Sequence, residues 1–388
     1  MSHVARNPLL DFPAQPLPSW RRAVLKVGSS LLAGFADGDG GLDARHARDL
    51  AQFVQAARAA GREVVLVSSG AVAAGRARVA SAGEGLVLRQ ALAALGQAQL
   101  IGFWQALLSV PVAQVLLSHD DLRDRRRYLN ARAALRELLR LGALPLINEN
   151  DTVAVDELKL GDNDNLAAAT ASLVDADLLL IATDIGGLYS TDPARDARAA
   201  PQPRIARITP QLLAAAGAAG RIGTGGMRSK LEAASKAALA GIPTVLFCGR
   251  DAEVVAALRA DRLHGTLIER ADNTLSARKQ WLRHAPATGQ LTVDAGAAAA
   301  LCAQGASLLP GGVVAVAGEF HRGDVIEVRA SAHPAQPLAR GLAQYNAAEL
   351  RRIAGRKSGD IESILGFRYG EAVIHRDDLV LLVHGAMP

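Results

Sequence analysis

From Ala23 onward, short runs of consecutive apolar residues alternate with longer stretches in which apolar positions recur every three or four residues. The runs are AVLKV (23–27), EVVLVS (63–68), VAQVLLS (112–118), ALPLIN (143–148), DLLLIAT (177–183) and TVLF (244–247). Most are apolar at successive rather than alternate positions, so both faces of each strand need a cover, as in a parallel sheet between helices. Helical periodicity fills 43–60, 86–108, 127–141, 165–175 and 228–240. The pattern predicts an α/β fold, a three-layer α/β/α sandwich on a mainly parallel sheet over residues 21–268. An Arg-rich linker over 269–286 then leads to Val-rich runs cut by glycine, LTVD, GGVVAVAGEF, DVIEVRA and GEAVIHRDDLVLLV. These predict a small β-rich domain over 287–378. Residues 1–20 carry four prolines and no unbroken apolar stretch, and read as a flexible tail rather than a signal peptide.

Composition narrows the class. At 388 residues the chain is too long for one core, and with 50% hydrophobic and 21% charged residues it is far from the composition of disordered chains. The net charge of +5 comes without a tract of like charge, so it permits anionic ligands and identifies none. Cys248 and Cys302 stand alone, without CxxC or Cys/His ligand spacing, which argues against a disulfide framework or a protein-built metal site and fits a reducing cytoplasm. No stretch approaches about 18 consecutive apolar residues, and the C-terminus carries no lipidation signal. The expectation is a cytoplasmic protein without a membrane span.

In open parallel sheets ligands bind beyond the carboxyl ends of the strands, so the polar residues that follow each run are the candidates. Lys26 closes the first run and is followed by Gly28, Ser29 and Ser30; a lysine at a sheet terminus costs desolvation unless an anion meets it. Ser68, Ser69 and Gly70 open a helix after the second run. The stretch Ile147 to Ala171 packs Asn148, Asp151, Asp162, Asn163, Asp164 and Asn165, with other acids and amides, between a strand and an alanine-rich helix. Asp164 or Asn165 could serve only as a helix cap, but one cap does not require so dense a cluster. Thr183 and Asp184 follow the fifth run, and the loop Thr224, Gly225, Gly226, Met227, Arg228, Ser229, Lys230 runs into a helix, where backbone amides can approach phosphates. Neither GxxxxGK[ST] nor GxGxxG occurs in these loops. Two lysines, glycine loops and a carboxylate and amide cluster, without a Ser-His-Asp or metal-ligand histidine pattern, point to phosphoryl transfer.

At these residues the chain resembles the amino acid kinase family. The matching stretches are VLKVGSSLL, SSGAVAAGR, LAALGQAQL, RYLNARAALRELL, LPLINENDTVA, GDNDNLAA, ATDIGGLYSTDP and GTGGMRSKLEAA, continuing through RKQWL, SLLPGGV, YNAAELRRIAG, ILGFRYG and VIHRDDL. They span about residues 22–378, and the C-terminal part resembles a PUA domain, a small β-barrel also found in RNA-modifying proteins. INEND, then GDNDN, then GTGGM with a lysine shortly after it are far more restrictive than a glycine loop alone.

The resemblance implies transfer of the ATP γ-phosphoryl group to the side-chain carboxylate of L-glutamate, the first step of proline biosynthesis, with Mg²⁺ as cofactor and proline as feedback inhibitor. It implies that Lys26 and Lys230 contact the transferring group and that Asp162 orients them. Ser69, Asp151 and Asn163 would bind glutamate. Lys26, Thr183, Asp184 and the loop Thr224, Gly225, Gly226, Met227, Arg228, Ser229, Lys230 would hold the nucleotide. It also implies a homo-oligomer, dimer or tetramer, and a functional link to glutamyl phosphate reductase. Arg228 stands where relatives often carry a small polar residue, and the loop after Gly34 is longer and glycine-rich. Within the fold, aspartokinase, acetylglutamate kinase and uridylate kinase are the rivals, disfavoured by the fused β-rich domain and GDNDN. RNA binding is disfavoured by the lack of aromatics interleaved with lysines, and a nicotinamide-dependent oxidoreductase by the missing fingerprint.

Overall fold

The computed structural model describes residues 7–34, 41–79, 83, 85–154, 163–193, 196, 198–216, 226–271, 282–283 and 285–382. The chain divides into two compact units, residues 1–123 with 134–274, and residues 124–133 with 275–388. The division is not sequential: periodicity finds the helix Arg125–Arg140, but cannot tell that its opening turns group with the C-terminal unit.

The first unit is built from strands β1 (Gln15–Pro16), β2 (Arg22–Val27), β3 (Glu63–Ser68), β4 (Val112–Leu117), β5 (Leu144–Glu149), β6 (Leu178–Thr183), β7 (Arg204–Ile205), β8 (Thr244–Cys248), β9 (Arg262–Leu263) and β10 (Gly265–Ile268). Eight of them form one sheet in the order β4-β5-β3-β2-β6-β8-β10-β7. All pairs are parallel except β8 with β10. Each apolar run became a strand within one residue of its expected ends. The short β7 and β10 carry too few residues for a run to stand out.

Alternation along β2 sets the layers, because successive side chains point to opposite faces. Ala23, Leu25 and Val27 join a core with Leu50, Phe53 and Val54 of the helix Ala44–Ala59 and Trp104 of the helix Leu86–Leu107. Val24 and Lys26 therefore face the other layer, made by the helices Asn163–Leu173 and Met227–Leu239, which pack on each other.

The helices Ala71–Arg76 and Leu86–Leu107 touch backbone to backbone. A Cβ on Gly75 would lie 1.9 Å from the Leu92 carbonyl oxygen, and one on Gly96 1.9 Å from that of Ala71. Only glycine fits either position, which explains the glycines in SSGAVAAGR and LAALGQAQL. By length and composition Leu86–Leu107 could cross a membrane, yet here it is a packing element that buries Leu92, Ala93, Gly96, Gln97, Leu100 and Trp104.

The expected flexible tail is corrected for residues 7–20. β1 pairs antiparallel with β9, and Gln15 Nε2 donates to the carbonyls of Pro203 and Gly265. Phe12, Leu17 and Trp20 are buried. Phe12 meets the Tyr189 ring edge to face at 5.2 Å, while the Arg62 guanidinium lies 4.6 Å over Trp20. Isolated apolar residues between prolines do not make a periodic signal, but three of them suffice to anchor an extended segment.

The second unit holds a five-stranded sheet of β11 (Gly289–Val293), β12 (Val313–Gly318), β13 (Val325–Ala330), β14 (Pro337–Leu342) and β15 (Leu379–Leu381), ordered β12-β11-β13-β14-β15. Its core gathers Leu291, Val328, Tyr345, Leu350, Ile353 and Ile374. A capping box between Asn346 and Glu349 starts the helix Ala347–Ile353. Arg132 and Asp378 form a buried ion pair.

Candidate active site

The carboxyl ends of β2, β3 and β5 and the first residues of two helices bring the site together. Lys26 on β2 is paired in register with Val67 of β3 and Ile181 of β6, at the centre of the sheet. Its side chain is 5% exposed and its Nζ lies 2.6 Å from Asp164 Oδ1. Lys230, from the first turns of Met227–Leu239 and 9% exposed, places Nζ 3.3 Å from Asp164 Oδ2. The Ser229 hydroxyl donates to the same oxygen at 2.6 Å. One carboxylate, itself 1% exposed, thus joins two ammonium groups from opposite parts of the unit's sequence.

Burial alone would raise the Asp164 pKa, but Lys26, Lys230 and the Ser229 hydrogen bond outweigh it and hold the carboxyl below its usual range. Lys230 is pulled the other way: burial, the largest influence, and Lys26 lower its value and together outweigh the raising pull of Asp164 and Asp184. Two ammonium groups meet one carboxylate in a buried environment, an arrangement whose positive charge an incoming anion can approach.

Asn163, the residue before Asp164, faces a second cluster. Its Nδ2 donates to Ser69 Oγ at 2.7 Å and to Asn148 Oδ1 at 3.0 Å. Asn148 Nδ2 in turn donates to Gln97 Oε1 at 2.9 Å. The chain has one direction: Ser69 Oγ accepts from Asn163, which leaves its hydrogen available to donate to an oxygen outside the network. Consecutive positions of one helix start therefore join an amide and hydroxyl chain to a lysine pair.

Nearby, Gly226 caps Met227–Leu239 without any side-chain hydrogen bond, leaving first-turn amides to meet a phosphate. A Cβ on Gly28 would come 3.4 Å from Lys26 Nζ, so glycine there keeps the approach to the ammonium group open. Thr183 is buried and closes a turn, its hydroxyl accepting from Ile185 N and donating to Ile185 O. Asp184 is exposed and contributes a field that favours charged Lys230. Arg228 pairs with Glu232 of its own helix at 2.9 Å, on the surface. Asp151, just past β5, is largely buried, and burial pushes its carboxyl up to about 6 against the weaker pull of Arg89.

Of the expected site residues, the structure brings together Lys26, Lys230, Ser69, Asn163 and Ser229. Asp162, Thr224 and Gly225 lie outside the described residues. Asp164, for which the sequence left open a helix cap or a place in the polar cluster, starts a helix and bridges the two lysines with its side chain. Asn148 appeared only as one of many polar residues, and Gln97 was missed. Its signal was slight, a lone amide in the apolar stripe Ala93, Gly96, Leu100, Trp104. Gln97→Leu is expected to destabilise the protein by about 1–3 kcal/mol, because Asn148 Nδ2 then loses its acceptor inside a buried network. Urea unfolding measures it, and an unchanged midpoint would deny the network a structural share.

A buried lysine pair on a shared carboxylate, beside an uncapped helix start, is a phosphoryl-transfer arrangement. The amino acid kinase family model matches residues 21–248, and a PUA domain model matches 289–365. The chain belongs to the amino acid kinase family. More particularly, it is 62% identical over 378 residues to the glutamate 5-kinase of Xylella fastidiosa, covering 96% of this chain and 98% of that protein. It is 64% identical over 365 residues to the glutamate 5-kinase of Xanthomonas euvesicatoria pv. vesicatoria, covering 92% and 100%. A solved UMP kinase from Bacillus anthracis is 15% identical, with a TM-score of 0.45 over 67% of this chain and 100% of that one.

Proposed function

We propose that the chain transfers the γ-phosphoryl group of ATP to the side-chain carboxylate of L-glutamate, giving L-glutamyl 5-phosphate. The observation that carries this reading is the junction at Asn163 and Asp164, which sets a hydroxyl and amide chain for a carboxylate against a lysine pair for phosphates. The activity named for the Xylella and Xanthomonas relatives, glutamate 5-kinase, supports it. A glutamate carboxylate with an ordinary pKa of about 4.3 is ionised at neutral pH, so the acceptor needs no general base. The difficulty is bringing an anionic nucleophile to an anionic triphosphate, which preorganised positive charge relieves. In this reading Lys26 and Lys230 meet the transferring group, Asp164 fixes their spacing, and Ser69 and Asn163 hold the acceptor.

Mg²⁺ fits as the cation. Among the described residues no group of three or more His, Cys, Asp or Glu side chains gathers as a metal cage, and Asp164 is already taken by lysines. Such a donor set suits a cation held by nucleotide phosphates and water, neutralising phosphate charge when bound. We further infer a place at the start of proline biosynthesis, with proline competing against glutamate. An ADP-release assay on glutamate, aspartate, acetylglutamate and UMP, with hydroxylamine trapping of the acyl phosphate, tests the reading. Turnover confined to glutamate is expected, and preference for any of the others would overturn it.

Asp151 is the acid we assign to the substrate ammonium group. Its carboxyl, raised to about 6 by burial, is ionised at pH 7 and protonated below its pKa, and only the ionised form attracts an ammonium. The KM for glutamate is therefore expected to rise as pH falls below about 6, by about tenfold per pH unit at the limit, while the KM for ATP moves less. Asp151→Ala should raise the glutamate KM and abolish that pH dependence. A variant that keeps the slope removes Asp151 from the role.

A further inference from the structure

Outside the lysine site, the second unit contains a cavity of about 220 Å³. Arg126 and Asn130 line it from the 124–133 segment, with Arg322, Asn346, Glu349 and Tyr369 from the C-terminal part. Arg322 is fixed in place: its guanidinium carbon sits 3.9 Å from the Tyr369 ring centroid, and it donates to Asn130 Oδ1. Burial draws its pKa below the ordinary arginine value, yet its Nε is buried without a hydrogen-bond acceptor among the described residues. Neither Arg126 nor Arg322 has a carboxylate within ion-pair distance among the described residues. The one acid in the wall, Glu349, is occupied by the capping box, accepting from the Asn346 backbone N–H at 2.9 Å.

Glu349 acts on Arg322 only through its field, and a half-buried cation that no carboxylate reaches at ion-pair distance among the described residues is costly, so an anion in the cavity would relieve the cost. We propose that this cavity binds a small tetrahedral oxyanion, the phosphoryl group of a small molecule, between Arg126 and Arg322 with amide donors from its walls. Two guanidinium forks and two side-chain amides offer more N–H donors than a planar carboxylate can satisfy, whereas a phosphoryl group accepts from several directions. Glu349 sets a negative charge beside the site, which disfavours an extended polyanion. Arg322 already covers one face of Tyr369, which removes that face as a platform for a nucleic-acid base. The site is separate from the lysine cluster and does not depend on the proposed reaction.

The test is calorimetric titration of inorganic phosphate into the full chain at low ionic strength. Phosphate will also meet Lys26 and Lys230, so the wild type is compared with Arg126→Gln, a surface change that leaves the fold intact, and Arg322→Lys, which keeps charge but loses the fork. Two classes of site are expected in the wild type, with one weakened at least about tenfold in either variant. In ¹⁵N-arginine spectra, the Arg322 Nε–H resonance should shift with phosphate along the same isotherm. Isotherms identical in wild type and Arg126→Gln, or an Arg322 signal indifferent to phosphate, would overturn the proposal. So would capture of single-stranded RNA by these arginines that phosphate does not compete away.

Discussion

Replacing Lys26 by alanine is expected to lower kcat about 10²–10³-fold, the loss that follows removal of one preorganised charge donor from a water-poor site. The substitution removes a buried ammonium held 2.6 Å from Asp164 on the central strand. That charge does not need to reorganise when the phosphoryl group moves, so its effect falls on the chemical step more than on ground-state binding. The KM for glutamate should change less than kcat, because Ser69 and Asn163 belong to a separate hydrogen-bonded chain. Lys26→Arg should rescue little, since a planar fork cannot replace a compact ammonium where a Cβ on Gly28 would already come 3.4 Å from the Nζ atom. Steady-state kinetics on both variants, with unfolding measured in parallel, separates catalysis from stability. A kcat near the wild-type value in a folded Lys26→Ala protein removes the residue from the reaction.

The sheet was legible because a strand covered on both faces is written as a continuous apolar run, and β2, β3, β5 and β6 are of that kind. Lys26 was legible for the same reason, as the one charge inside such a run. Other parts depend on interactions that a local pattern does not contain. Phe12, Leu17 and Trp20 are spaced by prolines and acquire meaning only against Tyr189, Phe53 and Arg62. In GDNDN the motif marks the place but not that the Asp164 carboxylate turns inward, which depends on where the helix Asn163–Leu173 begins. Gln97 reads as a tolerated polar residue on a helix until β5 sets Asn148 against it. The resemblance supplied residue roles, and the geometry adds one, the bridge that Asp164 makes between the two lysines.

That bridge leads to the second large effect, in Asp164→Asn. The substitution keeps the shape and removes the charge, depriving two buried ammonium groups of the carboxylate they share. Breaking a buried pair in this way costs about 3–5 kcal/mol, measured by urea unfolding of the protein without ligand. Lys230 sharpens the prediction, because burial already holds its pKa below the ordinary value and Asp164 is the strongest influence raising it. In the variant the folded-state value falls further. A lysine whose folded pKa lies below its unfolded one penalises folding while it stays charged, and the penalty fades as pH rises through the folded value. The stability deficit should therefore narrow towards alkaline pH, while the alkaline limb of kcat moves to lower pH as Lys230 loses its proton. ATP should recover more stability in Asp164→Asn than in the wild type, because its phosphates supply the missing negative charge to the same two ammonium groups. If Asp164 were only a helix cap, the loss would be near 1 kcal/mol, independent of alkaline pH and no better recovered by nucleotide than in the wild type.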